Sequence, residues 1–442
     1  MRFWNHAAKP KTQTPRKKVP ISVRAFRFKL PLADRLSPDA RRNFQFDLAA
    51  SAIYSLFNVV INQFYIPMAI DAGASDIQVG ILAAAPAFGL LFSPLWTGWI
   101  EAGRPRSFTI YPNLAGRALL FLPALWISPW AFVLTALAYQ LLMGVQAPAY
   151  ASLMARVYPA EYRGRLLGYV RVAMGLLMIP LASLVGIWSD KSGSSAPLAA
   201  ATLAGVLSIL LYFGLKELKR PWTADPAPRE TDGKPARKSN RLPLREQWRY
   251  ARSNKAILVF LAATTFSGFG NILSQPLYQI IQKEHLALSF SEIGAARTTY
   301  YAALLVAYFA IGFLIDKYEP AKVVLWGIVA FSVVPLLYGI QESFPVVLAG
   351  SAIQGVGDAI WDIGLMAYVF RLAPGREATV FGLHLLLFGI RGTTGPLLST
   401  ALSGTLPFPV MLFAASVCGW IGVAVFYAFT VSRLKAKPAR PR

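Results

Sequence analysis

Apolar residues run along this chain in long uninterrupted stretches, and polar residues gather in the gaps between them. Twelve stretches are long enough to cross a bilayer as helices, a span needing about 20 apolar residues. The first six fall at Asp47–Ile70, Ile77–Ile100, Ser107–Ile127, Trp130–Met154, Leu166–Trp188 and Pro197–Leu215. The second six fall at Ala256–Ile281, Glu292–Ile315, Ala321–Ile340, Pro345–Phe370, Ala378–Ser403 and Phe408–Val431. The pattern predicts an all-α membrane protein of about 12 spans, two six-helix bundles at 46–216 and 256–432. A tail at 1–45, a linker at 217–255 and a tail at 433–442 complete the chain. The first apolar run is long enough to be a true span and no small-residue cleavage pattern follows it, so it reads as membrane helix rather than as a cleaved signal.

Composition agrees. Of 442 residues, 55% are hydrophobic and 15% charged, with a mean hydropathy of +0.46. A soluble domain of this length carries more charge. The single cysteine, Cys418, makes no intrachain disulfide and has no metal-ligand companion.

The net charge of +23 raises the question of nucleic acid, but the placement of the charge answers it. Of 44 Lys and Arg, 39 lie on the tails, the linker and the connections on the linker's side. Lys191 and Lys283 are on the other side, and Arg117, Arg297 and Arg391 fall within spans. By the positive-inside rule both termini and the linker are expected in the cytoplasm of a cell-membrane protein. The charge is then topological, directed at the lipid bilayer, and no nucleic-acid partner is expected. The centre of the linker, "RPWTADPAPRETDGKPARKSNRLP", has a disordered composition. "LREQWRYARSNK" reads as a short interfacial helix closing it, and "ISVRAFRFKLPLADRL" before the first span suits the membrane surface.

Polar residues inside the spans are the candidate chemistry, because each is expensive in hydrocarbon. The first span carries Tyr54, Asn58, Asn62 and Tyr65 at helical spacing, with Gln63 beside them; the seventh carries Ser267, Asn271, Gln275 and Tyr278. Three of these pairs are offset by 213 residues, and Arg156/Arg371 and Pro159/Pro374 by 215. "SDIQVG" at Ser75 is echoed by "SEIG" at Ser291. A near-constant offset across several elements indicates duplicated halves. In the tenth span "GVGDAIWDIGLM" places Asp358 near the midplane and Asp362 one turn deeper, with Gln354 and Trp361 on the same face. Arg391 stands near the depth of Asp358, and His384 closer to the linker side. A shift of 215 carries Asp358 to Met143 and Asp362 to Ala147, so the first half builds the same helix without the acids. That favours function, while an Asp358–Arg391 pair that simply pins two helices stays open. The shift also carries Trp361 to Gln146 and Leu365 to Tyr150, which extends the candidate lining to span 4. Helix–helix hydrogen bonding is the other explanation of the amides. Arg117 is expected to face its own bundle; Arg297 is expected either to snorkel or to attract an anion.

The loop after span 8, "GFLIDKYEPAK", carries Gly312, Asp316, Lys317 and Lys322, a glycine–acid–base motif, with Glu319 where a second glycine is preferred. The loop after span 2, "GWIEAGRPR", has Gly98, Glu101, Gly103, Arg104 and Arg106 at shortened spacing. With the duplicated six-span halves, these residues resemble the major facilitator superfamily over about residues 45–432. The resemblance implies two bundles around a central cavity lined by spans 1, 4, 7 and 10. It implies that Glu101 and Asp316 latch the halves at the cytoplasmic face. It also implies alternating-access transport of a small solute, for which protons through Asp358 are the expected coupling ion.

Other chemistry is absent from the pattern. "GVGDAI" and "GFGNI" lack a third glycine and a preceding strand, so they read as helix-packing glycines. There is no phosphate loop, no metal-spaced histidine cluster and no nucleophile–base pair, so neither a cofactor nor an enzyme activity is expected. Multidrug efflux, uptake of a sugar or organic acid, and a transporter-like sensor or scaffold remain as alternatives. "GIRGTTGPLL" falls on span 11 rather than span 5, which weighs against drug export.

Overall fold

A computed structural model describes residues 36–93, 96, 105–218, 244–374 and 376–431. Among them every regular element is helical. The spans are α1 (Pro38–Asp71), α2 (Asp76–Leu91), α3 (Pro105–Leu119), α4 (Pro129–Val157), α5 (Ala160–Ser192) and α6 (Ser195–Leu210). The second set is α7 (Lys255–Ile280), α8 (Phe290–Lys317), α9 (Pro320–Ile340), α10 (Phe344–Leu372), α11 (Glu377–Leu402) and α12 (Phe408–Phe426). Among the described residues, ten helices are long and apolar enough to cross a membrane. The described parts of α2 and α3 are shorter, and a turn at Leu122–Leu125 follows α3. The linker ends in a short helix, Leu244–Ser253, that packs on α7 and α11, where the sequence places an interfacial helix. The chain folds as two pseudo-symmetric six-helix bundles, α1–α6 and α7–α12. Below, the linker face is the side from which the linker leaves, and the far face is the opposite one.

The starts of α2 and α8 are both capped, though the cap of α8 is Ser289 and not the Ser291 of "SEIG". Ser75 and Gln78 close a capping box at the start of α2, and Ser289 and Glu292 close one at the start of α8. Each satisfies two backbone N–H groups that a helix start leaves open. Proline in the first turn opens α4, α9, α10 and α12, where its missing N–H costs nothing.

The first helix departs from expectation. It starts at Pro38, nine residues before the predicted Asp47. Asp47 is fully buried, accepting hydrogen bonds from Tyr158 and Tyr212, both at 2.8 Å. One turn earlier, Asn43 donates to the carbonyls of Val157 (2.9 Å) and Lys216 (2.7 Å). Hydropathy cuts the span short because these side chains are polar; the helix continues because each finds a partner inside the first bundle.

The bundles meet where α2 packs on α11 and α5 packs on α8. Hydrogen bonds joining them gather towards the far face. Asp190, late in α5, accepts from the backbone N–H groups of Phe290 and Ser291, both at 2.8 Å, and from the Ser291 hydroxyl. The Ser403 hydroxyl, at the end of α11, donates to Asp76. Lys283 lies 3.0 Å from Asp71, and Thr298 bonds Ser183 and the Ile179 carbonyl. A shared apolar core, with Phe57, Phe64 and Val185 from one bundle and Phe290, Ile293 and Phe408 from the other, fills the same side. The core around Phe260, Val324, Tyr368 and Phe426, by contrast, belongs to the second bundle alone.

Candidate functional site

The middle of α10 carries the two aspartates that its apolar pattern leaves unexplained. Gly355 decides what surrounds them. A Cβ there would lie 2.4 Å from the Tyr300 carbonyl oxygen, so only glycine lets α8 come this close. The approach delivers the Tyr300 side chain, whose hydroxyl donates to Asp358 Oδ2 at 2.9 Å. Gln354 Nε2, one turn back, lies 3.3 Å from Asp358 Oδ1. Both donors are neutral, and among the described residues no cation pairs with Asp358. Asp362 accepts from the Tyr308 hydroxyl and is exposed, towards the linker face.

Arg391 is the main correction. A shared depth suggests a pair with Asp358, yet Arg391 faces the other way. Helix α10 packs chiefly on α8 and α9, whereas α11 packs on α7 and α2. Arg391 Nη1 donates to the Thr264 carbonyl at 2.6 Å. Its guanidinium fills the space that Gly268 leaves free: a Cβ on that glycine would sit 2.5 Å from Cζ. His384 joins the same interior, with Nδ1 3.3 Å from the Thr264 hydroxyl and its ring 5.7 Å from that of Trp361. Trp361 also packs on Phe331. These three residues therefore pack the second bundle rather than line the cavity.

Two adjoining cavities, of about 200 and 180 Å³, lie at the junction of the bundles. Asn62, Gln275 and Gln279 line both. Gln63, Gln354 and Asp358 line the larger, with Gln282, Arg297, Tyr300 and Tyr338. Asn62 and Gln63 are neighbours in sequence, and an α-helix would splay them about 100° apart. They reach one cavity from a π-helical turn, Val60–Phe64, a distortion often found at functional sites.

Of the expected lining residues, Asn62, Gln63, Gln275 and Gln354 are therefore in place. Asn58 accepts a hydrogen bond from Tyr301 of the other bundle at 3.4 Å. Tyr54 lies beneath Arg117, whose guanidinium carbon is 4.6 Å from the ring centroid. Arg117 faces its own bundle as expected, though its partners are the Gly205 carbonyl and the Ser208 hydroxyl, both at 2.6 Å. Gln146 and Tyr150 stand outside both cavities; Tyr150 stacks on Tyr212 beside Asp47, and Gln140 is the α4 amide in the lining. Asn271 is buried off the cavity. Gln279, Gln282 and Tyr300 are missed by the sequence reading, and Arg297, which that reading gives either to snorkelling or to an anion, lines the larger cavity. Their signals are present: the stripe Asn271–Gln275 continues at helical spacing to Gln279 and Gln282, and Arg297, Tyr300 and Tyr301 share one face of α8.

A family model described as "Major Facilitator Superfamily" matches residues 48–282 and again 261–442, once for each bundle. The chain belongs to the major facilitator superfamily. Membership makes it a multi-pass membrane transporter rather than an enzyme. No curated protein sequence matches it. Solved structures of the fold do. A point mutant of the nucleoside transporter NupG superposes with TM-score 0.69 at 13% identity, covering 88% of this chain and 99% of that one. A bacterial homologue of the human lysosomal transporter Spinster, inward-facing and unoccupied, gives 0.64 at 15% identity, covering 92% and 100%.

The superfamily's loop motif is only partly described here. Gly98, Glu101, Gly103 and Arg104 lie outside the described residues. Gly312, Asp316 and Lys317 occupy the last turns of α8, and Lys317 Nζ stands 5.5 Å from the Tyr318 ring centroid. Glu319, the departure from the family pattern, pairs with Arg371 of α10 at 2.6 Å, within the second bundle.

Proposed function

We propose that this superfamily member carries a small polar solute across the cell membrane by alternating access, and that a proton bound at Asp358 drives it. Both termini and the linker are cytoplasmic in this reading, as the basic-residue bias requires. The far face is then the outer one, held closed in this conformation by the contacts of Asp190, Asp76 and Lys283.

One observation carries the proposal. Asp358 lines a cavity between the bundles and is held by a hydroxyl and an amide instead of a cation. A carboxylate locked to an arginine cannot take up a proton without stranding a buried charge. Asp358 has no such obligation, and the Tyr300 hydroxyl accepts as readily as it donates. Rocking of the bundles would open the cavity to each side in turn, so that Asp358 exchanges its proton with both.

Infrared difference spectra of the protein in lipid, recorded as the pH is lowered, test the proton site. Wild type is expected to gain a carboxylic-acid carbonyl band that Asp358→Asn lacks and Asp362→Asn and Arg391→Gln retain. Identical bands in wild type and Asp358→Asn would place the proton elsewhere.

A further inference from the structure

Arg297 is the second charged side chain of the cavity, and proton coupling gives it no task. It lies one turn before Tyr300 on α8. Its Nη2 donates to the amide oxygens of Gln279 at 3.0 Å and Gln282 at 3.3 Å. Its Nε is buried without a partner, and its Nη1 makes no hydrogen bond among the described residues. Asp358 lines the same cavity, but its oxygens are taken by Tyr300 and Gln354. A guanidinium has five donors, and this one keeps most of them idle in a membrane-embedded site. Arg117 and Arg391 also leave Nε without a partner, but neither lines either cavity, whereas Arg297 lines the larger one.

Resting on the reading of Asp358 as the proton carrier, we propose that the solute is a small monocarboxylate bearing hydroxyl groups, with its carboxylate held by Arg297. Charge sets the anion. With a proton on Asp358, the lining has one unmatched positive charge. A neutral solute leaves that charge unpaired in low dielectric, and a dianion overshoots it. The planar fork of a guanidinium matches a carboxylate through two parallel hydrogen bonds. The amides set the rest of the molecule. Asn62, Gln275, Gln279 and Gln354 each offer donors and an acceptor, which suits hydroxyls better than an apolar body. A lipophilic cation is a poor fit in charge, since it would stand beside the Arg297 guanidinium. One anion moving with one proton makes the transport cycle electroneutral.

The test uses the full-length protein with gluconate and lactate as probes, and glucose and citrate as neutral and multiply charged controls. Calorimetric titration is expected to show gluconate or lactate binding to wild type at least ten-fold more tightly than either control. Arg297→Gln should lose at least ten-fold of that affinity, and Arg297→Lys, which restores the charge without the fork, should recover part of it. Folding of each variant is checked by its gel-filtration profile; should Arg297→Gln aggregate, the Arg297→Lys affinity decides. In proteoliposomes, flux of the bound acid should follow a pH gradient and ignore an imposed potassium-diffusion potential. Failure of both acids to bind, equal binding of glucose, or unchanged affinity in the arginine variants overturns the anion assignment. If Arg297 governs binding but the flux ignores the pH gradient, the monocarboxylate site stands and the proton reading falls.

Discussion

Among single side chains, Asp358 and Arg391 show how far counting along a helix can go. Depth in the membrane follows from the number of residues between a charge and its helix end, and both fall at mid-span as expected. Azimuth does not follow from counting, since it depends on which helices are neighbours. Arg391, Phe388 and His384 share the face of α11 that turns to α7, away from Asp358. The absence of a pair makes a sharp prediction. In a thermal-stability cycle, Asp358→Asn and Arg391→Gln should add within about 0.5 kcal/mol, as uncoupled sites do. A coupling of about 1 kcal/mol or more would restore the ion pair. Gly355 yields a second prediction. Gly355→Ala places a methyl group 2.4 Å from the Tyr300 carbonyl oxygen. It should destabilise the protein by about 1–3 kcal/mol, and a conservative Gly268→Ala should instead displace the guanidinium of Arg391. If Gly355→Ala melts and transports like wild type, α8 and α10 are not fixed by that contact. The glycines of "GVGDAI" and "GFGNI" were legible as packing residues from the missing third glycine; what they seat was not, because the partner lies on another helix.

Among the helices, the internal repeat proves most informative at the far face. Asp76 of α2 bonds Ser403 of α11, and Asp190 of α5 bonds Ser291 of α8. The capping boxes align the halves by 214, which carries Asp76 to Phe290 and Asp190 to Gly404, each next to the serine of the other clasp. The two clasps therefore stand at near-equivalent places in the two halves, with acid and hydroxyl exchanged. Asp190 also accepts from two backbone N–H groups at the start of α8, where the helix dipole favours a negative charge. Both acids are near the surface, so each clasp is discounted to about 1 kcal/mol. Asp76→Asn with Asp190→Asn should move the equilibrium towards a conformation open at the far face by more than ten-fold. Distances between spin labels on the far-face ends of α5 and α8 would report it; an unchanged distribution would make the clasps incidental. The helices themselves were legible, since long apolar runs and capping signals act locally. The start of α1 was not, because Asn43 and Asp47 look like span limits until Tyr158 and Tyr212 are brought to them by the fold. Nor was the π-helical turn that aligns Asn62 with Gln63, for which the sequence carries no local signal.

For the whole molecule, the proposed cytoplasmic termini and the closed far face imply one orientation, in which the closed side is the outer one. In a Cys418→Ala background, single cysteines at Ser194 and Ser343 should react with an impermeant reagent added to intact cells, and cysteines at Ser239 and Ala436 should not. Labelling of Ser239 from outside would invert the chain. Orientation in turn gives the proton gradient a direction across the site, and so leads to the claim on which the functional account rests, that Asp358 couples a proton to the solute. Its most direct test is flux in proteoliposomes, using whichever compound best stabilises the purified protein in a screen of sugars, amino acids, organic acids and lipophilic cations. Asp358→Asn keeps the hydrogen-bonding shape of the protonated acid but cannot release a proton. It is expected to abolish accumulation driven by a pH gradient while retaining exchange of labelled for unlabelled solute. An Asp358→Asn protein that still concentrates the solute against its gradient would contradict the account.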